Sequence, residues 1–392
     1  MNILFSVNNF SIRQNCPVNA TFTGPSFSLE KSPKYDLFVK SNDNIQSQTI
    51  SFTGSKKTSK TANPKKDYKS YEEQLKNIDG LHDPYSDVIM ISQKKYRYMV
   101  NKIHKRTNAE SMNSLMEGYT MHMFPSEKEV FELLKYETNK AKRRNSNQNL
   151  TYPEILQSYL PLAKARLVNS QFAVTDSIRE YAKENMSKDE QKDVESYLTI
   201  IDKDIYNDRF RIKYARDLLG RLYDEVHDKS KVDKIIRLSH NFPNTATCSD
   251  AFIVKYANKS QEEIAELLVS PSQISIEHIK PSSEGGESKG DNYLAASKRM
   301  NNYRNSTPLD EIIERYPNIP KQTQRYIDDL IAKINRGGLT NIAYTLPGVK
   351  ESLAKESNGR INIDISKLNP DLKVKIDEFQ EKMNQLVEKF NS

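Results

Sequence analysis

The sequence predicts a mainly α-helical protein that carries one small inserted β-β-α unit, C-terminal helices and a disordered N-terminal arm. Apolar residues recur at helix-face spacing over much of the chain, and one alternating stretch near residue 274 is typical of a strand. The first 67 residues are rich in Ser, Thr, Asn and Lys and lack a helical period. The expected regions are a disordered basic arm (1–67), a helical region (68–269), the β-β-α unit (270–318) and a C-terminal helical extension (319–392).

Helix starts are predicted from serine, proline and acidic residues. A serine can cap free backbone amides, and an acid three residues later favours the positive end of a helix. The starts predicted in the helical region are Pro125-Ser126, Tyr152-Pro153 and Ser187. The helices predicted in the C-terminal extension cover residues 308–316, 321–336 and 370–390.

The charge balance favours a polyanionic partner. Lys and Arg total 59 against 52 for Asp and Glu, which gives a formal net charge of +7, and the sequence pI is about 8.9. A mean hydropathy of −0.76 indicates that much of the chain is solvated. The balance therefore permits nucleic acid as a partner without requiring it.

Two cysteines, Cys16 and Cys248, are too few and too far apart for a disulfide framework or a cysteine-based zinc site. No apolar run approaches the roughly 20 residues that a membrane helix needs. The start of the chain lacks the basic and apolar regions of a secretory signal. We expect a cytoplasmic protein that does not bind a membrane.

Residues 273–310 are the most informative part of the sequence. Ile274 and Ile276 alternate with polar residues, as in a strand, and residues 280–290 form a turn-rich loop with a pair of glycines. A second strand is expected over residues 292–294, with a helix starting near Ala295. A unit of this size needs packing against neighbouring helices to be stable.

This segment resembles the HNH endonuclease family, whose members share a ββα-metal fold and hydrolyse phosphodiester bonds. The spacing from Asn292 to Asn301 is similar to that in the HNH domain of RNA-guided nucleases. Many family members carry Asp where this chain has Glu277, and many carry Cys-x-x-Cys zinc knuckles that this chain lacks. The matching residues are Glu277, His278, Ile279, Pro281, Gly285, Gly286, Asn292, Asn301 and Arg304.

The resemblance implies a role for each polar residue of the motif. His278 would be the general base, since an imidazole with a pKa near 6.5 accepts a proton at neutral pH. Glu277 and Asn301 would take part in catalysis as ligands of a divalent metal ion, Mg²⁺ or Mn²⁺, which prefers oxygen donors. Arg304 would bind a substrate phosphate, and Asn292 would hold the loop around His278.

Two details of this assignment stay open at the sequence level. Asn302 competes with Asn301 for the helix position, although the spacing favours Asn301. Adjacent strand residues point to opposite faces, so Glu277 and His278 share a site only where the strand bends or ends.

The expected function is therefore a metal-dependent HNH endonuclease that acts on nucleic acid, more on DNA than on RNA. One alternative is a non-catalytic nucleic-acid-binding or scaffold protein that keeps the HNH fold. A second alternative is a secreted nuclease toxin. A basic and aromatic stretch, residues 94–106, could also contact a sugar-phosphate backbone, although such stripes are more often a core face beside a solvated face.

Overall fold

The computed structural model describes residues 71–144, 149–337 and 339–391, so the predicted disordered arm (1–67) lies outside the described residues. The predicted mainly α-helical class is confirmed. Helices α1 to α8 are Gln93–Ile103, Ala109–Met116, Pro125–Arg143, Tyr152–Asn185, Lys188–Tyr206, Ile212–Gly220, Leu222–Glu225 and Lys229–Ser239. Helices α9 to α15 are Ser249–Tyr256, Gln261–Val269, Lys298–Arg304, Leu309–Arg315, Ile319–Asn335, Thr340–Glu356 and Pro370–Asn391. The strands are β1 (Ile274–His278) and β2 (Tyr293–Ser297).

The chain divides into two compact units. The described part of the smaller unit is Val168–Phe242, and that of the larger unit is residues 71–144, 149–167, 243–337 and 339–391. One boundary falls inside α4, which contributes residues to both units. No described helix is both long enough and apolar enough to cross a membrane.

The smaller unit is a set of helices around an apolar core that includes Ile178, Leu198 and Leu218. Its helix α5 starts where the sequence predicts. Ser187 accepts a hydrogen bond from the amide of Glu190, and the Glu190 side chain accepts one from the amide of Ser187. This reciprocal capping box satisfies two backbone donors at the helix start.

The larger unit contains two apolar clusters. The first joins α1, α2, α3, α9 and α10 through buried side chains such as Met99, Phe131 and Leu268. Its helix α3 begins at Pro125 as predicted, but Ser126 does not cap it. The hydroxyl of Ser126 instead donates to the side chain of Glu127 and to backbone carbonyls of the 245–246 segment.

The second cluster surrounds the hairpin of β1 and β2. It gathers Leu75 and Leu81 from the start of the described chain, Ile274 from β1, and Tyr326 and Ile342 from the C-terminal helices. The β-β-α segment therefore has no separate core of its own. Its apolar face is buried only because residues distant in sequence pack against it.

The two strands pair antiparallel, from Ile274 opposite Ser297 to His278 opposite Tyr293. The predicted helix start near Ala295 is wrong, because Ala295 and Ala296 belong to β2 and the helix begins at Lys298. Alanine favours helices, but these two alanines are fully buried and pair with Ile276 and Ser275 of β1. Ser297 accepts a hydrogen bond from the amide of Met300 and so caps α11.

Candidate active site

The last two residues of β1 lie in different surroundings. Glu277 faces α11, where Asn301 and Arg304 lie one helical turn apart. Asn301 donates hydrogen bonds to the hydroxyl of Ser275, at 3.0 Å, and to the carbonyl of Ile276, at 2.9 Å. Since Ser275 and Glu277 share a face of the strand, the helix covers that face, and His278 points to the other side.

A buried ion pair joins Glu277 to Arg304. Their side chains are 3% and 1% exposed, and the guanidinium donates to one carboxylate oxygen, Oε1. The same guanidinium donates to the carbonyls of His278, at 2.5 Å, and Ile279, at 2.6 Å, and its Nε donates to the carbonyl of Thr307. Arg304 therefore binds three consecutive residues at the end of β1 and fixes the backbone that carries His278.

This geometry corrects one implied role. The resemblance implies that Arg304 contacts a substrate phosphate, but its side chain is enclosed and its donors are directed at the chain itself. Arg304 is a positioning residue in this structure. It holds the strand end and the Glu277 carboxylate.

Burial changes the acidity of Glu277. Loss of solvation raises its pKa to about 7, and the neighbouring Arg304 opposes this rise. The negative charge of Asp83 raises it further, by a smaller amount. Arg304 thus favours the charged form of Glu277 and burial favours the neutral form.

His278 has one ring nitrogen without a hydrogen-bond partner in the described part of the chain. Its ring contacts the ring of Tyr293 edge to face, with centroids 4.8 Å apart. The Nε2 atom is enclosed and has no hydrogen-bond partner among the described residues. Burial lowers the pKa of His278, so the ring is neutral at pH 7 and can accept a proton.

The two neighbouring asparagines of α11 have different surroundings. Asn301 is directed at β1, and its Oδ1 accepts no hydrogen bond from any part of the chain that the structure describes. Asn302 is exposed and lines an open cavity of about 310 Å³ beside Glu127, Tyr256 and Arg299. Of the two, it is Asn301 that the structure places against β1, through Ser275 and Ile276.

Asn292 closes the loop that follows His278. Its side chain accepts from the amide of Lys280, at 2.8 Å, and donates to the carbonyls of Lys280 and Glu287. Its backbone carbonyl accepts from the amide of Ile279 at 2.9 Å. These bonds tie both ends of the loop together directly beside His278.

Backbone conformation and steric crowding explain why this loop carries two glycines, Gly285 and Gly286. Gly285 has a φ of +81°, which favours glycine. At Gly286 an added Cβ would lie 1.9 Å from the carbonyl oxygen of Lys280, so no larger residue fits without moving the backbone. The loop can close around Asn292 only with glycine at this position.

A second buried acid supports the site and was missed by the sequence analysis. Asp83 accepts hydrogen bonds from the hydroxyls of Ser297 and Ser86 and from the amide of Tyr85. Burial raises its pKa to about 6. Because Asp83 and Ser297 are separated by 214 positions, no local pattern could have linked them.

The oxygen atoms available to a metal ion can be identified individually. Within residues 71–144, 149–337 and 339–391, no group of three or more His, Cys, Asp or Glu side chains is placed to hold an ion. On the helix-facing side, however, Asn301 Oδ1 and Glu277 Oε2 both lack a hydrogen-bond donor in the described chain. Carboxylate and amide oxygens are the donor types that Mg²⁺ and Mn²⁺ prefer.

Comparisons with known proteins do not identify this chain. No family model, no curated protein and no solved structure matches it.

Proposed function

We propose that this protein is a metal-dependent HNH-type endonuclease that hydrolyses phosphodiester bonds in nucleic acid, with DNA as the preferred substrate. The observation that carries this proposal is the neutral, unpartnered imidazole of His278, held at a strand end whose backbone Arg304 fixes. The ordered motif around it, including Asn292 and Asn301, supports the same proposal.

In the proposed mechanism, His278 accepts the proton of the attacking water. A depressed pKa keeps the ring deprotonated at neutral pH, which a general base requires. Arg304 and Asn292 hold the backbone before and after His278, so the ring is oriented before the substrate arrives. The leaving group is the 3′ oxygen of the cleaved strand.

The metal ion would be held by the free oxygens of Glu277 and Asn301. When bound, such an ion neutralises charge on the phosphate and on the departing oxygen. Arg304 occupies the other oxygen of Glu277 and favours its ionised form, and Ser275 orients the Asn301 amide so that its oxygen remains available.

One observation favours a second candidate, a nucleic-acid-binding protein without catalysis. The Glu277–Arg304 pair is complete without a metal ion, so the fold does not need one for charge balance. In this alternative, Glu277 and Arg304 serve only to join β1 to α11.

A cleavage assay distinguishes the two candidates. Purified protein is incubated with supercoiled plasmid or single-stranded RNA, in Mg²⁺, Mn²⁺ or EDTA, beside the His278→Ala variant. The nuclease proposal expects nicked or linear plasmid with either metal, intact plasmid in EDTA and little cleavage by the variant. Cleavage that continues in EDTA, or an intact plasmid in every condition, contradicts it.

A further inference from the structure

Helix α1 lies in an unusually acid-free part of the chain. Residues 88–109 contain no Asp or Glu. The same segment contains the cations Lys94, Lys95, Arg97, Lys102, Lys105 and Arg106. The local charge is therefore strongly positive.

The helix buries one face and exposes a basic one. Met99 and Ile103 are fully buried in the first apolar cluster of the larger unit. We call the opposite side the α1 basic face; it is formed by the exposed residues Lys94, Arg97, Tyr98, Asn101 and Lys105. Their spacing of three or four positions places them along one line of the helix and its C-terminal end.

The cations of the α1 basic face are not neutralised by neighbours. No ion pair in the described chain involves Lys94, Arg97 or Lys105. Helix α3 behaves differently, since its Lys140 pairs with Glu137 and its Lys142 pairs with Glu110. Unpaired cations on one face raise the local potential and favour a polyanion.

The α1 basic face is attached to the strand that carries His278. The amide of Ile91 donates to the carbonyl of Ser272, and the amide of Ile274 donates to the carbonyl of Ile91, both at 3.0 Å. Ser92 then caps α1. Along β1, His278 lies about 13 Å from Ile274, so α1 starts beside the strand that ends at the candidate base.

We propose that the α1 basic face binds the sugar-phosphate backbone of nucleic acid beside the cleavage site, an inference that rests on the proposed function. The 11-residue helix is about 16 Å long, which matches roughly five base pairs along one strand of a duplex. Lys94, Arg97 and Lys105 are suited to contact phosphates. Tyr98, which is 58% exposed, offers a ring for a base or sugar.

Binding without cleavage tests this proposal. A fluorescent DNA duplex is titrated with protein in EDTA, and anisotropy is measured over a series of salt concentrations. The triple variant K94Q/R97Q/K105Q removes three cations from the face. The matched control K373Q/K375Q/K382Q removes three exposed cations from α15, where acids alternate with the lysines.

We expect the α1 variant to bind at least roughly tenfold more weakly and to reduce the slope of log K against log salt by about 2 to 3. The α15 control should stay close to the parental protein in both quantities. Equal losses in the two variants mean that only net charge matters and overturn the proposal. The proposal is also overturned if the α1 variant binds DNA as tightly as the parental protein. Binding of polyglutamate in place of DNA would overturn it as well, because it points to an acidic protein partner.

The assay separates this inference from the proposed function. If the parental protein binds DNA through α1 but never cleaves it, the basic face stands and the nuclease proposal fails. If plasmid is cleaved while the α1 variant binds normally, the nuclease stands and the basic face is excluded.

Discussion

Glu277 and His278 are neighbours in the sequence, and the structure places them in opposite situations. Glu277 is enclosed and paired with Arg304, so its interactions hold β1 against α11. His278 is partly open, neutral and without a partner on Nε2. Adjacent residues of one motif can therefore have different roles. Glu277 stabilises the packing of β1 against α11, whereas His278 keeps a ring nitrogen without a hydrogen-bond partner among the described residues.

This comparison predicts the largest effect on activity at His278. His278→Ala should reduce cleavage by roughly 100-fold to 10,000-fold, because no other imidazole in the motif can accept the proton. The melting temperature should hardly change, since the ring makes no hydrogen bond that the fold needs. Steady-state cleavage and thermal unfolding are measured together, with the exposed His227→Ala as control. Parental activity in the His278 variant would exclude it as the base.

At Arg304 the largest expected effect is on the stability of the fold. Arg304→Met should lower the free energy of unfolding by about 3 to 5 kcal/mol, because it leaves the Glu277 carboxylate buried without its partner. The double variant that also changes Glu277→Leu should recover part of this loss, since no charge then remains unpaired. Urea unfolding measures both variants. A single variant that stays within about 1 kcal/mol of the parent would show that the pair contributes little to the fold.

The buried acids predict an unusual pH dependence of stability. Burial raises the pKa of Asp83 to about 6 and that of Glu277 to about 7, so the folded protein holds protons that the unfolded chain releases. Their contribution to stability is therefore fully present below about pH 4 and is lost as the pH rises from about 4 to about 7.

A variant of Asp83 isolates this effect. Asp83→Asn cannot titrate, so its stability deficit relative to the parent should shrink by up to about 3 kcal/mol as the pH rises from acidic to neutral. Urea unfolding across that range gives the comparison. A deficit that is constant with pH would mean that the carboxyl group is not protonated in the folded protein.

The smallest effect concerns the asparagine pair. Asn301→Ala should lower cleavage roughly 10-fold to 100-fold and raise the metal concentration required, because it removes one of the two free oxygens. Asn302→Ala should do neither to the same degree. Cleavage is titrated against Mg²⁺ for each variant. If the Asn302 variant is the more sensitive, the assignment of the helix position moves by one residue.

Local chemistry explains what could be predicted from the sequence. The capping box at Ser187 and the start of α15 at Pro370 depend on residues within one or two helical turns. The alternating isoleucines correctly indicated a strand in β1 for the same reason. The metal and phosphate roles came only from the family resemblance.

The features that the sequence could not indicate depend on distant contacts. Ala295 and Ala296 form a strand because β1 and the C-terminal helices bury them. The basic character of Arg304 suggested a phosphate, but its enclosure beside Glu277 follows from packing that no local pattern encodes. The helical region divides at residues 168 and 242. The first boundary lies inside helix α4 and the second lies between two helices, and neither is marked by a change in amino-acid composition.

The hydrogen bond between Asp83 and Ser297 can form only late in the synthesis of the chain. The two residues are 214 positions apart, so a ribosome needs roughly 10 to 40 s to travel from one to the other. During that interval the segment that contains Leu75 and Leu81 lacks the β1 and C-terminal residues that later bury it. The hairpin with its surrounding core consequently assembles among the last events of synthesis.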